Sequence, residues 1–466
     1  MQPSLKLTNS AYNLLEKADK WSNETIKTGL IAKFLKPTIN LLSHLFQNTN
    51  KSIVNFFSMA LFISLCILFI SLFLPQFSSD RAGIGILIFI SFLIFTINLI
   101  LKNLTQIKFN FIDFLVILFL LIILISTFSS YFLIPSIKGL FKYLSFFAFY
   151  FITKVSLLNF SEKKISTLWL IMFLCTLFIS AIGIYQYLIG VEPLASWEDP
   201  TQENTHTRVY STLGNPNLLA GILILIFPLG ITFFVKSKKN LSRIFYLIAL
   251  ITILLCTIFT GSRGGYIGLI VEIFLGIVVL FLYFLQKVKI KNKILITFLS
   301  LISLLCLIFI IVFLFPVIVE RISTIFTFRE HSSNNYRINV WLSCLEMFKQ
   351  NWLLGIGPGN NTFFLAYGLY MKSGFDALAA YNVFLEIGLE TGILGLLTFA
   401  FMLVVSFLKL HRLFWEKDEL SSLGIFISLA GVISHGIFDT VFFRPQIFIL
   451  FWFLIAYIAK LEVKEN

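Results

Sequence analysis

Three short segments of the chain combine arginine with turn-forming residues: RVYSTLGNPNLLAG (Arg208 to Gly221), TGSRGGYIG (Thr260 to Gly268), and RINVW (Arg337 to Trp341) followed by GIGPGN (Gly355 to Asn360). A guanidinium offers planar, paired donors that match phosphate or carboxylate. In the first segment Asn215-Pro216-Asn217 is a turn signal directly before an apolar run. It reads either as a simple helix cap or as a helix end whose amides, with Arg208, face an anion. In the second, Gly261, Gly264 and Gly265 allow close backbone approach, and Arg263 falls at or just outside membrane depth. A charge there either snorkels to the interface or binds an anion in a cavity that opens outward. In the third, Arg337 and Trp341 are four apart and share a helix face. GIGPGN lacks the GK[ST] of a phosphate loop and reads as a turn that shapes its surroundings. Carboxylates follow in AAYNVFLEIGLETGILG, where Glu386 and Glu390 share a helix face. They either pair with outer-face arginines such as Arg263 and Arg337 or act as acid and base. His435 and Asp439 are also four apart, which suits either a carboxylate-oriented general base or a structural pair. Glu272 stands alone in the middle of an apolar run.

The elements that must carry these residues are membrane spans. The 466 residues are 58% hydrophobic and only 13% charged, against about 25% charged in soluble domains. The apolar runs are continuous, which excludes a porin-type barrel with its alternating strands. The expected fold is all-α, a polytopic transmembrane bundle of ten to twelve spans. These are read at about 53–74, 82–101, 111–134, 139–158, 167–189, 214–235, 242–260, 264–285, 294–315, 380–408, 421–441 and 445–460. With the N-terminus inside, most of the 36 Lys and Arg fall on the cytoplasmic side, so both termini are expected in the cytoplasm. The same rule accounts for the net charge of +13 without a nucleic-acid partner. Basic residues on that side are Lys apart from Arg243 and Arg412. The outer side carries Arg81, Arg208, Arg263, Arg321, Arg329, Arg337 and Arg444. Topology alone accepts either residue, so the outer arginines look selected for anion contact. Residues 1–52 form a basic cytoplasmic segment without the short apolar core of a signal peptide. In it Ile26, Leu30, Ile31, Phe34, Leu35, Leu41, Leu42, Leu45 and Phe46 approach helical spacing, interspersed with Lys. That suits a helix on an anionic membrane surface, or else a solvated basic tail. Residues 53–466 form the membrane domain, with a large outer loop at 316–380 and a helix expected from Arg337 to Trp352. Cys66, Cys175, Cys256, Cys306 and Cys344 form no CxxC or Cys/His cluster, so neither a disulfide framework nor a zinc site is indicated.

The ordered set of Arg208 with GNPN, Ser262 to Gly265, Arg337 with Trp341, GIGPGN and NVFLEIGLETGILG resembles the O-antigen ligase/Wzy polymerase superfamily over about residues 205–400. The resemblance implies a multi-pass inner-membrane glycosyltransferase of the metal-independent GT-C type, without cofactor. It implies transfer of a glycan from undecaprenyl pyrophosphate on the periplasmic face. It makes Arg208, Arg263 and Arg337 the pyrophosphate ligands, with Trp341, Asn382 and Glu386 beside the substrate. Ligases of this family carry His-Asn where this chain has Tyr381-Asn382, and the His is their base. A neutral Tyr is a poor base at pH 7. Tyr381, Glu390 and His435 are therefore the candidate catalytic positions, with His206 and His331 as other histidines that could substitute. The run ALAAYNVFLEIGLETGILG and the basic N-terminal extension resemble the cyanobacterial IctB subfamily, which carries a bicarbonate-transporter label. The alternatives this leaves are a bicarbonate carrier using the same arginines and a catalytically inactive binding or scaffold protein. No inverted repeat supports a carrier.

Overall fold

In a computed structural model, residues 3–28, 51–74, 82–101, 108–192, 208–287 and 333–463 are described. Every regular element among them is helical: α1 (Pro3–Thr28), α2 (Lys51–Ser71), α3 (Ala82–Leu101), α4 (Phe111–Phe128), α5 (Leu133–Asn159), α6 (Glu162–Ile189), α7 (Pro216–Lys236), α8 (Asn240–Phe259), α9 (Arg263–Lys287), α10 (Ser333–Gln350), α11 (Asn360–Tyr367), α12 (Val383–Lys417), α13 (Leu420–Gly436) and α14 (Pro445–Val463). Among the described residues nine helices are long and apolar enough to cross a membrane, and α13 and α14 are shorter apolar helices. The chain is therefore a polytopic helical membrane protein. The expected span at 294–315 lies outside the described residues, as do Arg81, Arg321, Arg329, His206, His331 and the apolar positions from Leu30 to Phe46.

The chain divides into two compact units. The first comprises Met1–Cys175, Leu342–Leu423 and Phe443–Asn466; the second comprises Thr176–Trp341 and Gly424–Phe442. In the first unit, α14 is buried along its length from Ile447 to Ala459. This is the expected place for a helix that is apolar on every face. It packs on α5, while α12 packs on α4. Phe147, Phe448 and Phe451 set their rings around Trp452 at 5.1–5.8 Å. In the second unit α7 packs against α8 and α9.

Three local features differ from the sequence reading. The expected boundary between spans at 134 and 139 falls instead at residues 129–132, and α5 begins at Leu133. Pro135 does not interrupt it, because a first-turn residue has no intrahelical acceptor for the N–H that proline lacks. The span read to residue 441 ends at Gly436. A helix over residues 3–28, which the apolar spacing did not single out, docks on the protein itself. Asp19 accepts from Lys409 Nζ at 3.0 Å and from the Phe111 N–H at 2.7 Å, Tyr12 Oη lies 2.6 Å from His411 Nδ1, and Glu16 accepts from Arg412. Tyr12, Leu15 and Ser22 are buried by this contact.

Candidate functional site

The second unit gathers the three arginines singled out in the sequence. Two helix starts position them. Asn215 caps α7, its Oδ1 accepting from the N–H groups of Asn217 and Leu218, and Pro216 occupies the first turn. Ser262 caps α9, its Oγ accepting from Gly265 N at 3.2 Å. The link between α8 and α9 is thus only Thr260 to Ser262, with Gly261 at φ +59°. Arg208 crosses this link: its Nε donates to Thr260 O at 2.9 Å and a terminal nitrogen to Asn217 Oδ1 at 2.7 Å. Asn217 Nδ2 donates to Asp439 Oδ2 at 2.7 Å, and that oxygen lies 3.6 Å from a terminal nitrogen of Arg337. Arg263 is the first residue of α9 and donates to Asn334 Oδ1 at 3.1 Å. Trp341 sets its ring 6.4 Å from that of Phe438. Two helix starts and three partly exposed guanidinium groups thus lie in this unit: Arg208 and Arg337 are linked through Asn217 and Asp439, and Arg263 donates to the helix that carries Arg337.

The His435–Asp439 pair expected from its spacing is not formed. Because α13 stops at Gly436, residues 435 and 439 no longer share a helical face. Asp439 turns to Asn217, to Arg337 and to the Val441 N–H. His435 is fully buried and neither ring nitrogen has a hydrogen-bond partner. Its ring lies where a Cβ on residue 264 would be, 2.3 Å from Cδ2, so the glycine admits the imidazole against the first turn of α9. Glu272 is buried against Gly431 with both oxygens unpartnered.

The carboxylates of AAYNVFLEIGLETGILG belong to the first unit. There α12 is broken at Gly392, which adopts φ +67° and ψ −170°. GIGPGN is the segment that fills the break. The N–H of Ile356 donates to Leu389 O at 2.7 Å, that of Gly357 to Glu390 O at 3.2 Å, and that of Ile393 to Trp352 O at 2.7 Å. Gly355, Gly357 and Gly359 all have positive φ, and a Cβ on any of them would come within 3 Å of neighbouring atoms. The glycines thus serve a buried splice rather than a surface turn. Glu390 is held inside it, accepting from Gly359 N at 2.7 Å and from Tyr143 Oη at 2.5 Å. Glu386, one turn earlier, accepts from the Ala380 N–H, while its Oε2 has no hydrogen-bond partner. The charge of Lys142 acts on both carboxylates, and that of Arg444 acts on Glu386. Asn382 caps α12 through Phe384 N and Leu385 N, and Tyr381 before it adopts φ +53°. Tyr143 and Lys142 gave no sequence signal, because they sit in an apolar run whose register against α12 no local pattern encodes.

The sequence-derived candidates thus form two sets. Arg208, Arg263, Arg337, Trp341 and His435 lie in the second unit, and Tyr381, Asn382, Glu386 and Glu390 in the first. Fold and geometry define a multi-pass helical membrane protein whose second unit brings Arg208, Arg263 and Arg337 together with the starts of α7 and α9. Residues 248–400, roughly a third of the chain, match the family model described as O-antigen ligase (Wzy_C). The matched stretch includes Arg263, Arg337, GIGPGN and Tyr381 to Glu390. Arg208, His435 and Asp439 lie outside it and join Arg263 and Arg337 only through the geometry above. The match is to the broad family and does not single out the IctB subfamily. A comparison with curated proteins finds no match to the chain.

Proposed function

We propose that the protein transfers a glycan from undecaprenyl pyrophosphate, binding the pyrophosphate at Arg208, Arg263 and Arg337 on the outer face of the inner membrane. The observation that carries this reading is the link from Arg208 through Asn217 and Asp439 to Arg337, with Arg263 at the start of α9 donating to Asn334 on the helix that carries Arg337. The family match supports the same class of substrate. In the reaction, an acceptor hydroxyl oxygen bonds to the anomeric carbon. The bond from that carbon to the pyrophosphate oxygen breaks, and the electron pair leaves with the pyrophosphate. Guanidinium groups and helix-end amides are fixed where this charge develops, so they stabilise the transition state without reorganising. The acceptor proton needs a base. Both oxygens of Glu390 are already engaged by Tyr143 and Gly359. His435 lies in the arginine unit and its ring nitrogens carry no hydrogen bond, so it takes this role. Trp341 shares the helix face of Arg337 and offers an apolar ring to a sugar or lipid.

Arg263→Lys tests the reading. A lysine keeps the charge but cannot reproduce the planar two-point contact. Product formation from a lipid-linked glycan should fall at least about tenfold, while the protein still inserts. Undiminished product in a correctly inserted Arg263→Lys variant contradicts the proposal.

A further inference from the structure

The dock of α1 on the first unit leaves another side of that helix uncovered. Tyr12, Leu15 and Ser22 turn into the protein, while Leu14 and Trp21, two turns apart on one face, are 64% and 50% exposed. Exposed apolar side chains are ordinary when scattered. These two are placed by what α1 docks on. Asp19 accepts from the Phe111 N–H, and Asn23 Oδ1 accepts from the Phe109 N–H at 3.2 Å. Thus α1 crosses the start of α4, a helix long and apolar enough to span a membrane. It lies at the depth where that span leaves the bilayer.

Trp21 also continues a surface that faces lipid. Its ring meets Phe114 edge-on at 4.9 Å, Phe114 stacks on Phe111 at 5.9 Å, and Phe111 meets Phe401 at 5.8 Å. Phe401 belongs to an exposed apolar row of α12, with Leu394, Leu397 and Val404 at helical spacing along a membrane-crossing helix. Four rings therefore run from that row to α1. A tryptophan at the end of a span, apolar in its body with a single N–H donor, suits the membrane interface. Charge on the uncovered side is mostly positive. Lys17, Lys20 and Lys27 are exposed there against Glu24, because Glu16 is engaged by Arg412 and Asp19 by Lys409.

We infer that α1 lies in the membrane interface, with Leu14 and Trp21 among the lipid chains at its boundary and Lys17, Lys20 and Lys27 on anionic headgroups. Bilayer and protein then hold this helix from two sides. An anionic surface is selected over a zwitterionic one because the lysine excess meets a negative surface potential. The inference is independent of the glycan-transfer reading, since no residue of α1 belongs to either set of candidate site residues.

The test is fluorescence quenching in full-length protein, otherwise free of cysteine, reconstituted in mixed phosphatidylglycerol–phosphatidylcholine vesicles. A thiol-reactive fluorophore is placed in turn at Leu14→Cys, Trp21→Cys and Lys20→Cys. Lipid with a quencher high on its acyl chain should quench the labels at 14 and 21, and water-soluble acrylamide the label at 20. At equal mole fraction, quencher-bearing phosphatidylglycerol should act on the label at 14 about twofold or more better than quencher-bearing phosphatidylcholine. Lys17→Gln with Lys27→Gln should remove that preference. Leu14 and Trp21 make none of the polar contacts of the dock, and should one labelled variant release α1, the other carries the test. Labels at 14 and 21 that acrylamide reaches as readily as the label at 20 overturn the inference. So do labels shielded from both quenchers, as a second copy of the chain would leave them, or equal quenching by the two lipids.

Discussion

Arg263 stands at the first position of α9, where aligned peptide dipoles already place about half a positive charge. A cation there opposes the dipole by roughly 0.3–1 kcal/mol. The position gains from an anion bound across it. Arg263→Ala should therefore leave the unfolding midpoint nearly unchanged while binding of a pyrophosphate lipid falls. A large drop in midpoint would instead make Arg263 a structural residue. Glu390 is the opposite case, a carboxylate fully engaged by its own protein. Tyr143→Phe should destabilise by about 1–3 kcal/mol, because one oxygen of a buried acceptor loses its donor. Unchanged thermal stability in that variant would show that the Tyr143–Glu390 hydrogen bond does not hold the splice. The arginines stood out in the sequence because the expected outer side carries mostly Arg where the cytoplasmic side carries mostly Lys. The role of Glu390 was not legible, since its partners come from α5 and from the GIGPGN segment. The spacing of His435 and Asp439 misled for a local reason: four residues apart means one face only while the helix continues, and α13 ends between them.

Gly392 and α1 show what positions these side chains at the scale of elements. A Cβ on residue 392 would lie 2.1 Å from Leu353 O, at a φ that other residues rarely adopt. Gly392→Ala should cost at least about 1–3 kcal/mol and loosen the splice that holds Glu390. Limited proteolysis between residues 350 and 360 would report it, and a variant as resistant as wild type would argue against the splice. At the other end of α12, Asp19 on α1 is the carboxylate paired with Lys409, which is 1% exposed. Asp19→Ala should cost about 3–5 kcal/mol, the usual consequence of leaving a buried charge without its partner. The expected readout is protease release of α1; retention of α1 would contradict its clamping by this pair. Span starts at Asn215-Pro216 and Ser262 were legible, since cap chemistry is written in adjacent residues. The docking of α1 was not, because Tyr12, Glu16 and Asp19 find partners almost 400 residues away. The break in α12 was hidden for a related reason. One glycine in an apolar run is tolerated in a helix, and only the distant GIGPGN strip makes it a break.

The whole molecule reads as a polytopic helical bundle because its apolar runs, one after another, match helices among the described residues. The class was thus legible from composition and run length, whereas the division into two units was not, since each unit draws on separated stretches of chain. The side assignment rests on the skew of Lys against Arg. A membrane-impermeant thiol reagent applied to intact cells should spare a cysteine at Lys20 and label one at Lys372, in a chain otherwise free of cysteine. The reverse pattern would invert the topology and place the arginine site in the cytoplasm. The central claim is that these arginines hold the pyrophosphate of a lipid carrier. The most direct measurement is binding of undecaprenyl pyrophosphate to purified full-length protein, comparing wild type with Arg263→Ala and Arg337→Ala. The account predicts saturable binding that weakens about tenfold or more in each variant. Equal affinity in all three proteins, or no binding to the wild type, would contradict it.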